Sequence, residues 1–193
     1  MPSADFRKTL IEFAFTLAFY LVLVGMAFWY LGLNEPLMRL RQCDAERVAQ
    51  HQAAPFFEQD GSFFSGGAYQ SDEQARSGQY SVKLSKGQGE YGFGFYIPYL
   101  HGNEKIKLSV WRKAAQGQKA TGALVASVEG GLLWKANSKP VEKGENGWEK
   151  LELTIDPLLE LQGKRLDLYC WNAKATAAYF DDLTIEIRRE EKL

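Results

Sequence analysis

Two histidines and two cysteines are all that the 193 residues hold of either type. His51 falls in a segment that reads as helix and His101 in a loop beside Gly102. A Ser-His-Asp arrangement or a histidine-rich metal site would therefore rest on a single residue. Two cysteines are too few for a disulfide scaffold, and Cys43 and Cys170 belong to different segments, which argues against a bond between them. Basic excess is missing as well: 23 Lys and Arg stand against 24 Asp and Glu. Such a chain has little positive charge with which to displace phosphate counterions, so nucleic acid is not an expected partner. A phosphate-cradling glycine loop is also lacking, since GQGEYGFG reads as a turn into a strand. Glu149 and Glu152 stand on opposite faces of one strand and make no acid/base pair. No enzyme is expected from these residues.

A long apolar run occurs once. The stretch from Phe13 to Leu33, FAFTLAFYLVLVGMAFWYLGL, is uncharged. About 21 helical residues at 1.5 Å each reach roughly the 30 Å of a bilayer's hydrocarbon core. Trp29 and Tyr30 sit where an aromatic belt is expected, and Glu12 can snorkel to the interface. The run exceeds the roughly 7–15 residues of a secretory signal, and FWYLGLNEP offers no small-x-small cleavage site. The expectation is an N-terminal tail at 1–8 and an uncleaved single-pass transmembrane helix at 9–33, with membrane lipid as its partner; a removed signal is the alternative. Arg7 and Lys8 before the run nearly balance Arg39, Arg41 and Arg47 after it, so charge alone does not orient the helix.

Residues 34–53 read as a short helical stalk. Asn34 can cap it, Pro36 suits a first turn, and Leu37, Leu40, Cys43 and Val48 make a partial apolar stripe. Ala53, Ala54 and Pro55 mark its end.

From Phe56 the period changes to two. Strand-like runs occur at QYSVKLS, EYGFGFYI, KIKLSVWRK, GALVASV, GWEKLELTI, KRLDLYCWN and AAYFDDLTIEI, separated by turn material such as SKGQG, LHGNE and KGEN. Several short strands at this spacing predict an all-β jelly-roll β-sandwich over 54–189, with a C-terminal tail at 190–193. Alternation turns Leu108 and Val110 inward, with Leu151, Leu153, Ile155, Leu166, Leu168, Cys170, Leu183, Ile185 and Ile187. Trp111 falls on the opposite face of its strand, and Arg165, Asp167, Tyr169 and Trp171 on the opposite face of theirs.

The order FFEQDGSF, ARSGQYSVKLS, KIKLSVWRK, NGWEKLELTI, LDLYCWN and AAYFDDLTIEI resembles the carbohydrate-binding-module-like jelly rolls of the galactose-binding-like superfamily. The resemblance spans residues 56–188 through short motifs. It implies the fold, and it implies a domain outside the cytoplasmic membrane, periplasmic or extracellular, at a bacterial cell envelope.

Two sites follow from the resemblance. Members of that group often hold a structural Ca²⁺ between opening and closing strands, which implies Glu58 and Asp181 as ligands. Asp181 shares the inward parity of Leu183, so its carboxylate needs either a cation or hydrogen-bond donors, and both remain open. The second site is the outward aromatic set Trp111, Tyr169 and Trp171, with Tyr96 and Trp134 as further members and Asp167, Arg165 and Ser109 as polar companions. Aromatic faces receive the C–H patches of sugar rings, while polar neighbours fix hydroxyls. The same rings suit a protein interface. Two functions are therefore expected: a membrane-anchored, non-catalytic binding module for glycan, or an assembly subunit that binds another membrane protein and no sugar.

Overall fold

The computed structural model describes residues 4–30, 38–51 and 54–190, with side chains described over 13–27, 38–50 and 54–190. The chain divides into two compact units, 1–37 and 38–193. In the first, helix α1 spans Ala4–Tyr30. Phe13, Phe15, Phe19, Tyr20 and Leu21 are exposed along it. Among the described residues, no helix is long and apolar enough to cross a membrane. The expected single-pass helix at 9–33 is corrected on this ground, together with the membrane localisation that rested on it. Glu12, Trp29 and Tyr30, the tail at 1–8, the cap at Asn34 and Pro36, and the last three residues of the C-terminal tail lie outside the fully described residues.

The helical stalk is a second correction. Where a helix was expected, the chain forms β1 (Met38–Cys43) and β2 (Val48–His51). Exposed Met38, Leu40 and Gln42 alternate with less exposed Arg39, Arg41 and Cys43, a period of two that the partial helical stripe concealed. β1 pairs antiparallel with the last strand, Met38 opposite Arg188 and Cys43 opposite Leu183. Good helix formers yield here to a ladder partner far along the chain, as tertiary context commonly overrides propensity. Arg39 donates to the buried carboxylate of Glu104 at 2.9 Å, and Cys43 and Ala45 are buried. The sandwich therefore begins at residue 38.

The remaining strands are β3 (Ala54–Gln59), β4 (Ser62–Phe64), β5 (Gln70–Ser71), β6 (Ser81–Leu84), β7 (Tyr91–Ile97), β8 (Glu104–Ala114), β9 (Ala123–Val128), β10 (Leu133–Asn137), β11 (Pro140–Lys143), β12 (Glu149–Ile155), β13 (Leu166–Trp171) and β14 (Ala178–Arg189). One sheet runs β11-β12-β8-β14-β6-β5, with β1 also beside β14, and a second runs β10-β9-β13-β7. A third, small sheet is β2-β3-β4. Leu108, Val110, Leu151, Leu153, Ile155, Leu183, Ile185 and Ile187 from the first sheet join Leu124, Ala126, Leu166, Leu168 and Cys170 from the second in one buried core. The inward set read from alternation is thus the core, and the β-sandwich is as expected. Both cysteines are free and buried.

Two bulges interrupt the alternation. Between β13 and β7, Leu168 faces Phe95 but Cys170 faces Gly92, so β7 carries one extra residue where Phe93 takes a φ of 50°. Between β14 and β8, Asp181 faces Trp111 but Thr184 faces Ser109, with Asp182 at a φ of 51°. Each extra residue transfers what lies beyond it to the other face.

Candidate functional site

A cleft of about 950 Å³ opens on the outer face of the four-stranded sheet. One wall is that sheet, with Tyr91, Tyr96, Arg165, Asp167 and Tyr169. The other wall comes from residues of β3, β4 and the turn after them, including Pro55, Phe63, Ser65 and Tyr69. The walls meet where Ser65 and Gly94 exchange backbone hydrogen bonds of 2.8 and 3.3 Å. Glycine is needed at that junction, because a Cβ at Gly94 would stand 2.8 Å from the Leu168 carbonyl oxygen.

The β7 bulge builds the aromatic wall. Tyr91 and Tyr96 are five residues apart and would face opposite ways in a regular strand. The extra residue brings both to the face of Asp167, Tyr169 and Trp171, with Tyr96 opposite Asp167 and Tyr91 opposite Trp171. Tyr91 is 58% exposed and Tyr96 51%, so their rings are available to a ligand. The Tyr91 ring meets Tyr169 edge-on at 5.8 Å and stacks with Trp171 at 6.3 Å and 15°. Trp134, 61% exposed on β10, meets Trp171 edge-on at 6.4 Å. Trp171 is thus half-buried between two rings and braces them, and its indole Nε1–H is buried without a hydrogen-bond partner among the described residues.

The polar companions also come together. Arg165 donates from Nε and Nη2 to Asp167 Oδ1 at 2.9 and 2.6 Å, and its guanidinium lies 4.4 Å from the Tyr96 ring centroid. The cleft therefore offers rings beside a fixed array of donors and acceptors. Sequence reading missed Tyr91 and Arg41 as lining residues. Gly92 and Gly94 within one strand were the available sign of the bulge that turns Tyr91.

Trp111 does not belong to this row. It lies on the other sheet, 9% exposed, in a cluster with Trp148 and Tyr179. The Arg76 guanidinium covers its ring at 4.0 Å. Its outward parity is as expected, but the segment around Arg76 and the turn at Gly144 cover that face. Ser109 is on the same sheet and is likewise remote from the row.

Asp181 is fully buried, and its oxygens are occupied. Oδ2 accepts the backbone N–H groups of Arg76 at 2.7 Å and Ser77 at 3.2 Å, and Oδ1 accepts that of Asp182 at 2.7 Å. Directly opposite Trp111, it shares that residue's outer face. The β14 bulge separates it from the parity of Leu183, so its burial is beneath the Arg76 segment and not in the sandwich core. Glu58 is on β3, in the small sheet, half-buried opposite Phe63. Among the described residues, no three His, Cys, Asp or Glu side chains gather to hold a metal ion. Three N–H donors around a carboxylate suit an anion receptor and not a calcium cage, so the residues present do not fit the implied Ca²⁺.

No family model matches this sequence, and no curated protein matches it. Solved structures do. The xylan-binding CBM22-1 domain of Paenibacillus barcinonensis Xyn10C is 18% identical, covering 78% of this chain and 95% of its own, with a TM-score of 0.48. The CBM22-1–CBM22-2 tandem of the same protein is 16% identical, with 79% of this chain and 46% of the tandem covered and a TM-score of 0.52. The C-terminal family 22 carbohydrate-binding module of Clostridium thermocellum Xyn10B is 14% identical over 64% of this chain and 81% of that one, with a TM-score of 0.42. At these identities the likeness is one of fold: the chain carries the β-sandwich of carbohydrate-binding modules.

Proposed function

We propose that this protein is a non-catalytic module that binds glycan in the cleft of its four-stranded sheet. The observation that carries the reading is the convergence of Tyr91, Tyr96 and Tyr169 on one open face, beside the Arg165–Asp167 pair. Sugar rings lie against the tyrosine faces, and the fixed guanidinium and carboxylate select hydroxyl positions. Trp171 and Trp134 hold the platform's far end. Trp111 has no part in binding, because it is buried on the other sheet and does not line the cleft.

Native gels containing xylan, β-1,4-galactan or mixed-linkage glucan test this. The protein is expected to be retarded in at least one of them, and Tyr169→Ala and Tyr91→Ala to lose the retardation while keeping the wild-type melting curve within a few degrees. Trp111→Ala should keep the retardation but lose about 3 kcal/mol of stability, as expected for truncating a buried Trp. Migration unaffected by every polysaccharide would overturn the reading.

A further inference from the structure

The charged groups lining the cleft do not balance. Arg41, Arg165 and Asp167 are its acidic and basic lining residues. Arg165 and Asp167 are bound to each other through two hydrogen bonds, so their charges are spent locally. Arg41 is different. It stands on β1 opposite Ile185, two residues from Arg39 and on the same face of the strand. Arg39 is engaged with buried Glu104. Arg41 donates only to the carbonyl of its neighbour Leu40, at 3.3 Å, and among the described residues no carboxylate pairs with it. The chain's net charge is −1, so no general positive field accounts for a cation placed here.

We propose that the cleft takes an acidic glycan, and that Arg41 is the residue that pairs with a uronic acid carboxylate on it. This rests on the glycan reading above and names the class of glycan. A planar guanidinium matches a carboxylate through two parallel N–H···O bonds, a geometry that a hydroxyl cannot reproduce. The tyrosine wall receives the ring faces of the polymer backbone, and Arg41, from a strand outside that wall, meets a carboxylate on the backbone or on a side branch. The guanidinium makes one long backbone hydrogen bond and no ion pair among the described residues, so its remaining N–H groups are open to a ligand carboxylate. The arginine then sets preference among polymers that share a backbone.

The decisive comparison uses the full chain and one polymer in two forms: glucuronoxylan, and the same glucuronoxylan after its carboxyl groups have been reduced to alcohols. Polygalacturonate serves as an acidic polymer with a different backbone. Affinity electrophoresis at low salt should show binding to the native glucuronoxylan about tenfold tighter than to the reduced polymer. The difference should shrink in 0.5 M NaCl, as screening requires. Arg41→Gln should bring the native polymer down to the affinity of the reduced one, and Arg41→Lys should restore part of the gap. Tyr169→Ala should remove binding to both. Equal affinity of the wild-type protein for native and reduced glucuronoxylan would overturn the acidic preference and leave the glycan reading standing. Retardation by none of the three polymers, nor by galactan or glucan, would overturn both. Stronger binding to polygalacturonate than to either xylan would support the acidic class and shift the backbone it belongs to. The wild-type comparison decides even if a substitution at Arg41 disturbs β1.

Discussion

Asp181 carries the most testable chemistry of any single residue outside the cleft. Burial pushes its carboxyl up to about 7, with the neighbouring Asp182 carboxylate adding to the rise and the N–H groups of Arg76, Ser77 and Asp182 holding it back. The folded protein therefore keeps this proton at pH values where the unfolded chain, titrating near 3.8, has released it. The stabilising contribution is complete below about pH 4 and is lost as the pH climbs to about 7. Melting temperature is expected to rise as the buffer is taken from pH 8 to pH 5, and Asp181→Asn should flatten that slope. The asparagine also turns one acceptor oxygen into a donor facing N–H groups, at a cost of about 1–3 kcal/mol at pH 5. A slope unchanged in the variant would assign the pH response to another group. Chelator should leave the wild-type melting curve where it is; a fall in melting temperature with EDTA would restore calcium as the partner of Asp181.

At the level of strands, the two bulges explain most of what the sequence did not reveal about the site. Period-two reading placed Leu166, Leu168 and Cys170 inward and Asp167, Tyr169 and Trp171 outward correctly, because β13 is regular. It missed Tyr91, which the extra residue at Phe93 rotates onto the shared face, and it grouped Asp181 with Leu183 across the extra residue at Asp182. In both bulges the residue at positive φ is not glycine but Phe93 or Asp182, so the sequence at that position carries no sign of it. Trp111 was misgrouped for another reason: alternation gives a face of a strand but not which sheet the strand joins, nor what covers it. β1 escaped notice because its residues favour helix and its ladder partner is the last strand. Its role is measurable. A chain starting at residue 54 lacks β1 and β2 and uncovers half of the β14 edge, whereas one starting at residue 38 retains them. The shorter chain should lose about 3 kcal/mol or more, roughly 10 °C in Tm for a domain of this size. Equal Tm values would show that β1 is dispensable.

For the molecule as a whole, the sandwich was legible and its start was not. Seven runs of alternating residues gave seven of the strands, and their inward faces form one core drawn from both large sheets. β10 and β11, in which no residue is fully buried, lack the alternation that burial on one side imposes. Cys43 and Cys170 give this sandwich a pair of internal clocks. Both thiols are buried, and burial pushes Cys43 up to about 12 and raises Cys170 further, so in the native state neither is a nucleophile. An alkylating reagent can reach each only when its own part of the protein opens. Cys43 closes β1, which reaches the main sheet through β14 alone, while Cys170 lies in β13 between β7 and β9. Mass spectrometry of a timed iodoacetamide reaction should find Cys43 modified well ahead of Cys170, separating the peeling of one strand from the opening of the whole. Identical rates would mean that β1 and the four-stranded sheet come apart as one body.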